Sequence, residues 1–515
     1  VKELNFPPLS QDYALERASS VTGDGTLAKE QLLLDAYSIR SGRSSLTLQA
    51  AGELAVSFAN RGAHDAARRW LAIAENLTST DSNPRAKARH LRRRGRVFLM
   101  LGDADEAVAS FESAASTTEK HLGANAASMP ETLTGLASAL QDAGRMTASQ
   151  EALNRAFSAA ASLGGDHPRL LPILHAQISL DRATGNLARD LSNAERALQI
   201  AVTTYGHDHP FTANVLTALG VSQALSGRPE NGLSSLRKAA NIFRRRGSAY
   251  DLDLHYTLGD IGDLLRTLGK ATESADALEQ SYNLVRRLLP ETDTRVVMAL
   301  NNLGYARAEQ GRFEEATQIF NQAIELLTRT VGPKHPNMFE PVGGLGHALL
   351  LQNRYADAIP VFERHLELTE TVFGSSSIRR AQSFYNLGVC YRGMSQLDKA
   401  EEFYSASLEV MEESGPATNP SLSYPLITLA SVAIERGQLD DAVARAERAL
   451  PLAEGDAIFH ADAQAVLSKA LWLQRSQRTR ARALADAAVL RYEGIGTRAE
   501  SNLKEFKTWR DEHGL

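Results

Sequence analysis

The sequence predicts an all-α solenoid of about eleven helix-turn-helix repeats with capping helices at its two ends. Three observations carry that expectation: a turn residue returns at a nearly fixed interval, a stripe of small and large apolar residues follows each turn, and no Pro/Ser-rich linker interrupts the series. The turn residues are Gly62, Gly102, Gly144, Gly185, Gly227, Gly269, Gly311, Asn353, Ser395, Gly437 and, at the end, about Ser476. Most intervals between them are 42 residues, and the others are 39 to 41. A fixed period of this size identifies one supersecondary unit that buries its apolar face by stacking on copies of itself.

Each unit reads as two helices. A helical apolar pattern precedes the turn, where glycine can take a left-handed conformation at no steric cost. Five residues after the turn a small residue recurs, followed by a larger apolar residue or Ala at nine and usually Ala at twelve. Those offsets fall on one stripe of a helix. The series runs Ala67/Leu71/Ala74, Ala107/Phe111/Ala114, Gly232/Leu236/Ala239, Ala316/Phe320/Ala323, Ala358/Phe362/His365, Ala400/Tyr404/Ser407 and Ala442/Ala446/Ala449. Small residues let two helices approach, and the large one fills the gap between them. Asp190 occupies the small-residue position of its repeat and breaks the pattern.

These residues resemble the tetratricopeptide repeat. Leu303-Gly304 with Gly311, Phe313, Ala316, Phe320 and Ala323 is the clearest copy, and Leu387-Gly388 with Tyr391, Ala400 and Tyr404 is another. The usual repeat is 34 residues long, whereas the longer spacing here is similar to that of kinesin light chain repeats. Their connecting segments resemble Tyr205-Gly206-His207-Asp208-His209-Pro210, echoed at Gly164 to Pro168 and Gly332 to Pro336. The resemblance implies a right-handed superhelix over 46–492, with caps at 1–45 and 493–515. The two ends, around Ala66 to Leu71 and from Ala461 through Trp472 and Arg480 to Ala485, also resemble the repeat region that follows the kinase domain in myxobacterial-type serine/threonine kinases. The chain begins with Val rather than Met, which fits a trimmed chain or a piece of a longer one.

Composition narrows the function classes. With 56 Lys+Arg against 61 Asp+Glu the formal charge is −5, which does not suit a general nucleic-acid binder. Cys390 is the one cysteine, so no intramolecular disulfide and no cysteine-based zinc site can form, and a reducing, cytoplasmic setting fits. No run of about 18 apolar residues and no leader-like start is present, so export and membrane insertion are not expected. Phosphate-loop, HExxH, GxSxG and kinase signatures are missing, and no cofactor is expected. His207-Asp208-His209 could ligate a cation, but the simpler reading is a helix start in which Asp accepts backbone N–H bonds before Pro210. Gly343-Gly344-Leu345-Gly346 lies on a first helix and reads as helix packing, and Cys390 as a small core residue.

The expected function is therefore binding. In tetratricopeptide proteins the first helix of each pair lines the concave groove through positions about 13, 10, 9, 6 and 3 before the turn. That register selects Arg89, Arg92, Arg93 and Arg96, within an arginine-rich run that contains no acid. Such a run is answered by a ligand carboxylate or phosphate, to which the guanidinium fork is suited, or by ion pairs to Glu53 and Glu131, or it is a solvated basic face. Further along, the register selects Met298, Asn301, Asn302 and Tyr305, then His347, then Tyr385, Asn386 and Arg392. Asn amides can pair with the backbone of an extended peptide, and Tyr and His add flat surface with a polar tip. No Lys accompanies Asn302 or Asn386, which disfavours capture of chaperone tails. The leading expectation is a non-enzymatic scaffold or adaptor holding a protein or peptide in the groove. The alternative is a sensor segment of a larger bacterial signalling protein such as a serine/threonine kinase. Homodimerisation through the terminal Trp509 helix is a further expectation.

Overall fold

The computed structural model describes residues 31, 33–34, 37, 44–60, 63–79, 83–124, 126–291, 293–475 and 477–515. Gly62, Ser476 and most of the expected N-terminal cap lie outside them. Among the described residues every regular element from Ser44 onward is helical: α1 Ser44–Asn60, α2 His64–Ser79, α3 Pro84–Leu101, α4 Ala104–Leu122, α5 Met129–Asp142, α6 Met146–Ala160, α7 Leu171–Ala183, α8 Leu187–Tyr205, α9 Pro210–Leu225, α10 Pro229–Arg246, α11 Asp251–Thr267, α12 Ala271–Leu288, α13 Thr294–Glu309, α14 Phe313–Thr330, α15 Phe339–Leu351, α16 Tyr355–Phe373, α17 Arg380–Gly393, α18 Leu397–Glu413, α19 Ser423–Glu435, α20 Leu439–Leu452, α21 Ala457–Leu473, α22 Arg478–Ile495 and α23 Glu500–His513. The observed class is thus the all-α helix-turn-helix repeat that the period predicts. The chain divides into two compact units, Val1–Asn302 and Leu303–Leu515, and the division falls inside α13.

The turns explain the period. The backbone takes positive φ at Gly102, Gly144, Gly185, Gly227, Gly269, Gly311, Asn353, Ser395 and Gly437, each within a residue or two after the first helix of its pair. At Gly102 the turn N–H donates to Leu99 O and that of Asp103 to Phe98 O, which satisfies the last carbonyls of α3. At the last turn, expected at about Ser476, positive φ falls on either side, at Arg475, 59°, and Gln477, 41°; Arg475 stands two residues after α21, as the turn residue does in most other repeats.

The stripe after each turn is the core. Ala316, Phe320 and Ala323 are fully buried, as are Ala400 and Ser407, with Tyr404 1% exposed between them. The large ring of each second helix lies against a glycine of its first helix. A Cβ built on Gly304 would stand 2.8 Å from Phe320 Cε1, and one on Gly388 would stand 2.6 Å from Tyr404 Cδ1. Gly346 faces Phe362 in the same way, which gives the Gly343–Gly346 cluster its expected packing role. Asp190 keeps the register of its repeat despite its charge. It is fully buried, accepts from Ser222 Oγ at 2.6 Å and lies 3.6 Å from the Arg182 guanidinium.

Connections into the first helices share a cap that the sequence reading assigned to the wrong residue. At His167, His209 and His335 the imidazole Nδ1 accepts the backbone N–H two residues on, at 3.1 to 3.2 Å, and at the first two it does so in place of the neighbouring Asp166 and Asp208. Proline follows each of these histidines and needs no N–H partner. Asn83 and Asn419 do the same work through Oδ1. Asp208 instead pairs with Arg245 at 2.6 Å, and its carbonyl accepts from Arg246.

Candidate functional site

Within Val1–Asn302 the first helices of successive pairs pack against one another, α1 on α3, α3 on α5, α5 on α7, α7 on α9 and α9 on α11. They form a continuous rank with the second helices packed behind. Side chains of neighbouring first helices meet at Arg92 with Glu131, 3.7 Å, at Arg182 Nη2 with Ser222 Oγ, 3.3 Å, and at Thr217 with Thr257, 3.1 Å. Within Leu303–Leu515 the first helices α19 and α21 pack against each other, and Arg392 of α17 is bonded to Glu435 of α19.

The arginine run on α3 separates into two faces. Arg89, Arg92, Arg93 and Arg96 share the inner one. Arg94 turns the other way, to Glu75 and Glu106 at 2.9 and 2.6 Å, with Phe98 beneath it. Arg93 is 9% exposed, and its Nε and Nη2 donate to Glu53 Oε1 at 2.8 and 2.7 Å. Burial pushes its pKa down and the Glu53 carboxylate opposes that shift, while the Arg89 and Arg96 guanidiniums add to it. Burial likewise lowers Arg92, against Glu131. Arg89 is exposed and donates to Gln49 at 3.2 Å. Arg96 is exposed and has no hydrogen bond or ion pair among the described residues. The run is thus answered internally at Arg92 and Arg93 and open at Arg89 and Arg96.

The neutral candidates divide similarly. Asn301 is 7% exposed with Oδ1 unpaired, so Asn302, which is half-buried, is the accessible member of that pair. Tyr305 lies edge-on to Phe320 with its hydroxyl 3.4 Å from Glu340 O. His347 is exposed. The Tyr385 hydroxyl meets Thr428 Oγ1 at 3.1 Å, and Asn386 Oδ1 accepts from Gln382 at 3.0 Å. Met298 is 64% exposed.

Cys390, His90 and His365 are in packing positions. Cys390 is fully buried and burial pushes its thiol up to about 12. Burial holds His90 and His365 down at about 4. His209 stacks on Tyr205 and Phe211. The basic clusters outside the rank also have local partners: Arg244 donates to Gln280, Arg480 pairs with Glu447 at 2.6 Å, and Arg478 and Arg482 lie over the Trp472 ring.

Counting back from Arg475, the actual last turn, places Asp462, Val466 and Lys469 on the inner face of α21. The sequence reading passed over them because the last repeat is irregular. Trp509, expected as a dimer contact, lies beside Lys469 and stacks on His513.

A rank of first helices with open polar side chains, backed by second helices buried through a small-residue stripe, defines a helical-hairpin repeat protein. Residues 295–371 and 377–455 match one family model described as tetratricopeptide repeat, and residues 260–329 and 179–211 match two others of the same description; these stretches are tetratricopeptide repeats. No curated protein matches the chain. Solved structures similar to it include a putative kinesin light chain from Podosopora anserina with nearly identical TPR-like repeats, 16% identical over 40% of this chain and 98% of that one, TM-score 0.37. BtubC (BKLC) from P. vanneervenii is 18% identical over 44% and 91%, TM-score 0.39. A Rap protein complexed with competence and sporulation factor is 11% identical over 72% and 98%, TM-score 0.47. Among the described residues no helix is long and apolar enough to cross a membrane.

Proposed function

We propose that the chain is a non-enzymatic scaffold that holds a protein or peptide along the rank of first helices. The observation that supports this most is the contrast between faces. The stripe of the second helices is consumed in packing, whereas the first helices keep Arg89, Arg96 and Asn302 accessible in Val1–Asn302 and, separately, His347 accessible in Leu303–Leu515. A stacked repeat presents such side chains on a pre-formed surface, so binding need not order the site. Arg89 and Arg96 favour a partner with carboxylates near α3, because two open guanidiniums beside two paired ones repel one another until an anion answers them. The burial of Cys390, His90 and His365 supports the non-enzymatic reading, since a nucleophile or general base must reach its substrate.

The test is affinity capture from the source lysate with three baits: wild type, Arg89→Glu/Arg96→Glu, and Asn302→Ala/Asn386→Ala, each checked for unchanged helical circular dichroism. Arg92, Arg93 and Asn301 are left intact because their side chains pack or pair internally. Loss of one and the same partner from a folded variant is the expected outcome. Unchanged capture by both variants would move the partner to another surface.

A further inference from the structure

At the C-terminal end of Leu303–Leu515 the terminal helix α23 lies beside α21 and borders a pocket of about 420 Å³, within the size range of small-molecule sites. Residues of α17, α19, α21, α22 and α23 line it. Its apolar lining is the half-buried Trp509 beside the buried Phe506, Ile427 and Val466. Two charged side chains in it have no hydrogen bond or ion pair among the described residues. Lys469 is half-buried, its Nζ stands 5.6 and 5.4 Å from the centres of the Phe506 and Trp509 rings, and no carboxylate lies within ion-pair distance among the described residues. Glu505, on the α23 side of the same pocket, is exposed at the rim and makes no hydrogen bond or ion pair there. The remaining charges are already engaged: Arg392 with Glu435, and Asp462 Oδ1 with the Tyr492 hydroxyl at 2.5 Å and Asn502 Nδ2 at 2.9 Å.

We propose that this pocket binds a small zwitterion with an apolar body, of the class of free apolar α-amino acids. Lys469 takes the carboxylate, Glu505 with the free oxygen of Asp462 takes the ammonium, and the Phe506/Trp509 wall takes the side chain. A half-buried ammonium facing aromatic rings loses hydration and has no carboxylate at ion-pair distance; burial accordingly lowers the Lys469 pKa, and the more distant Glu505, Asp462 and Glu435 carboxylates only oppose that shift. A ligand carboxylate supplies what is missing. A plain carboxylate would leave Glu505 and Asp462 facing it with like charge, whereas a zwitterion answers both signs. The pocket is open to one side and shares Arg392 and Glu435 with the first helices, and its occupancy is tested separately from what the rest of the first helices hold.

The test is titration calorimetry with L-leucine, L-phenylalanine, N-acetyl-L-leucine and L-leucinamide, on wild type, Lys469→Met and Glu505→Gln. Lys469→Met keeps the apolar stem, and Glu505→Gln sits on the exposed rim where folding is insensitive to it. The zwitterions should bind wild type, and the two blocked forms should bind about tenfold or more weakly, as expected for loss of one charged hydrogen-bond partner. Lys469→Met should weaken leucine by about tenfold or more, and Glu505→Gln should narrow the gap between leucine and N-acetyl-leucine. Equal binding of leucine and N-acetyl-leucine to wild type, unchanged leucine affinity in Glu505→Gln, or no binding of any probe would each overturn the proposal.

Discussion

Arg93 of α3 reaches back forty residues to Glu53 of α1, and both its Nε and Nη2 rest on the same carboxylate oxygen at 2.8 and 2.7 Å. The guanidinium is 9% exposed and Gly52 lies against its aliphatic stem. Removing the carboxylate would leave a buried cation without its counter-charge, which is costlier than the pair itself is stabilising. Glu53→Gln should therefore lower stability by about 1 to 3 kcal/mol, the lower part of the buried-pair range because the Glu53 side chain is a third exposed. Arg96→Glu, at an open position of the same helix, should change it by less than about 0.5 kcal/mol. Urea unfolding followed by circular dichroism compares the two, and equal losses would mean that the internal pairing carries no special weight.

His365 sits where most repeats have Ala, 4.3 Å from the Phe339 ring, with Nδ1 2.9 Å from Ser383 Oγ. Burial holds its pKa at about 4, below the ordinary 6.5. As pH falls, the unfolded chain takes up the proton first, so stability is full above about pH 6.5 and declines as pH falls towards 4. At pH 5 this one group should account for a loss of about 2 kcal/mol relative to pH 7. His365→Gln should lose correspondingly less between those two pH values in urea titrations. An identical decline in the variant would show that other groups, such as His90, carry the acid sensitivity.

The repeat was legible because its turn residues and its stripe answer to strict geometry. Left-handed turns select Gly102, Gly311 and their equivalents, and close helix approach selects Gly304 opposite Phe320. Where another residue does the same geometric work, the pattern blurs. His209 caps α9 although Asp208 stands beside it, because the cap is defined by backbone angle and the residue before proline, not by acidity. Arg475 occupies the left-handed turn without glycine, which moved the expected last turn by one residue and hid Lys469. The binding face was half legible. Spacing groups Arg89, Arg92, Arg93 and Arg96 on one side of α3, but whether an arginine on that side is open or paired depends on acids about forty residues away, at Glu53 and Glu131.

Cys390 offers a direct check on the core. It is fully buried on α17, and its thiol is pushed up to about 12. Only the thiolate attacks a disulfide reagent. The native protein should show almost no reaction with a chromogenic disulfide at pH 7.5, and one thiol per chain should appear in urea. Rapid native labelling would mean that α17 opens locally far more easily than its packing against Tyr404 and α18 implies.

Ser395 and Arg475 hold left-handed turns, φ 59° at each, that glycine fills in most repeats. An L-residue there carries a cost of about 1 to 2 kcal/mol from its Cβ, whereas glycine loses about 0.5 to 1 kcal/mol more backbone entropy on folding. The difference leaves Ser395→Gly and Arg475→Gly each stabilising by about 0.5 to 1 kcal/mol. Asn353 is in the same conformation at φ 56°. Its short amide tolerates that region, and its Oδ1 accepts from the Tyr355 hydroxyl at 2.7 Å. Asn353→Gly should therefore gain nothing or lose slightly, and that contrast guards against a general effect of added glycine. The converse substitution, Gly437→Ser, moves a repeat from the favoured to the strained state and should lower stability by the same 0.5 to 1 kcal/mol or so. Midpoints of thermal unfolding for the four variants give the ranking; if Ser395→Gly fell below wild type, the turn strain would be offset by a contact of the Ser395 side chain.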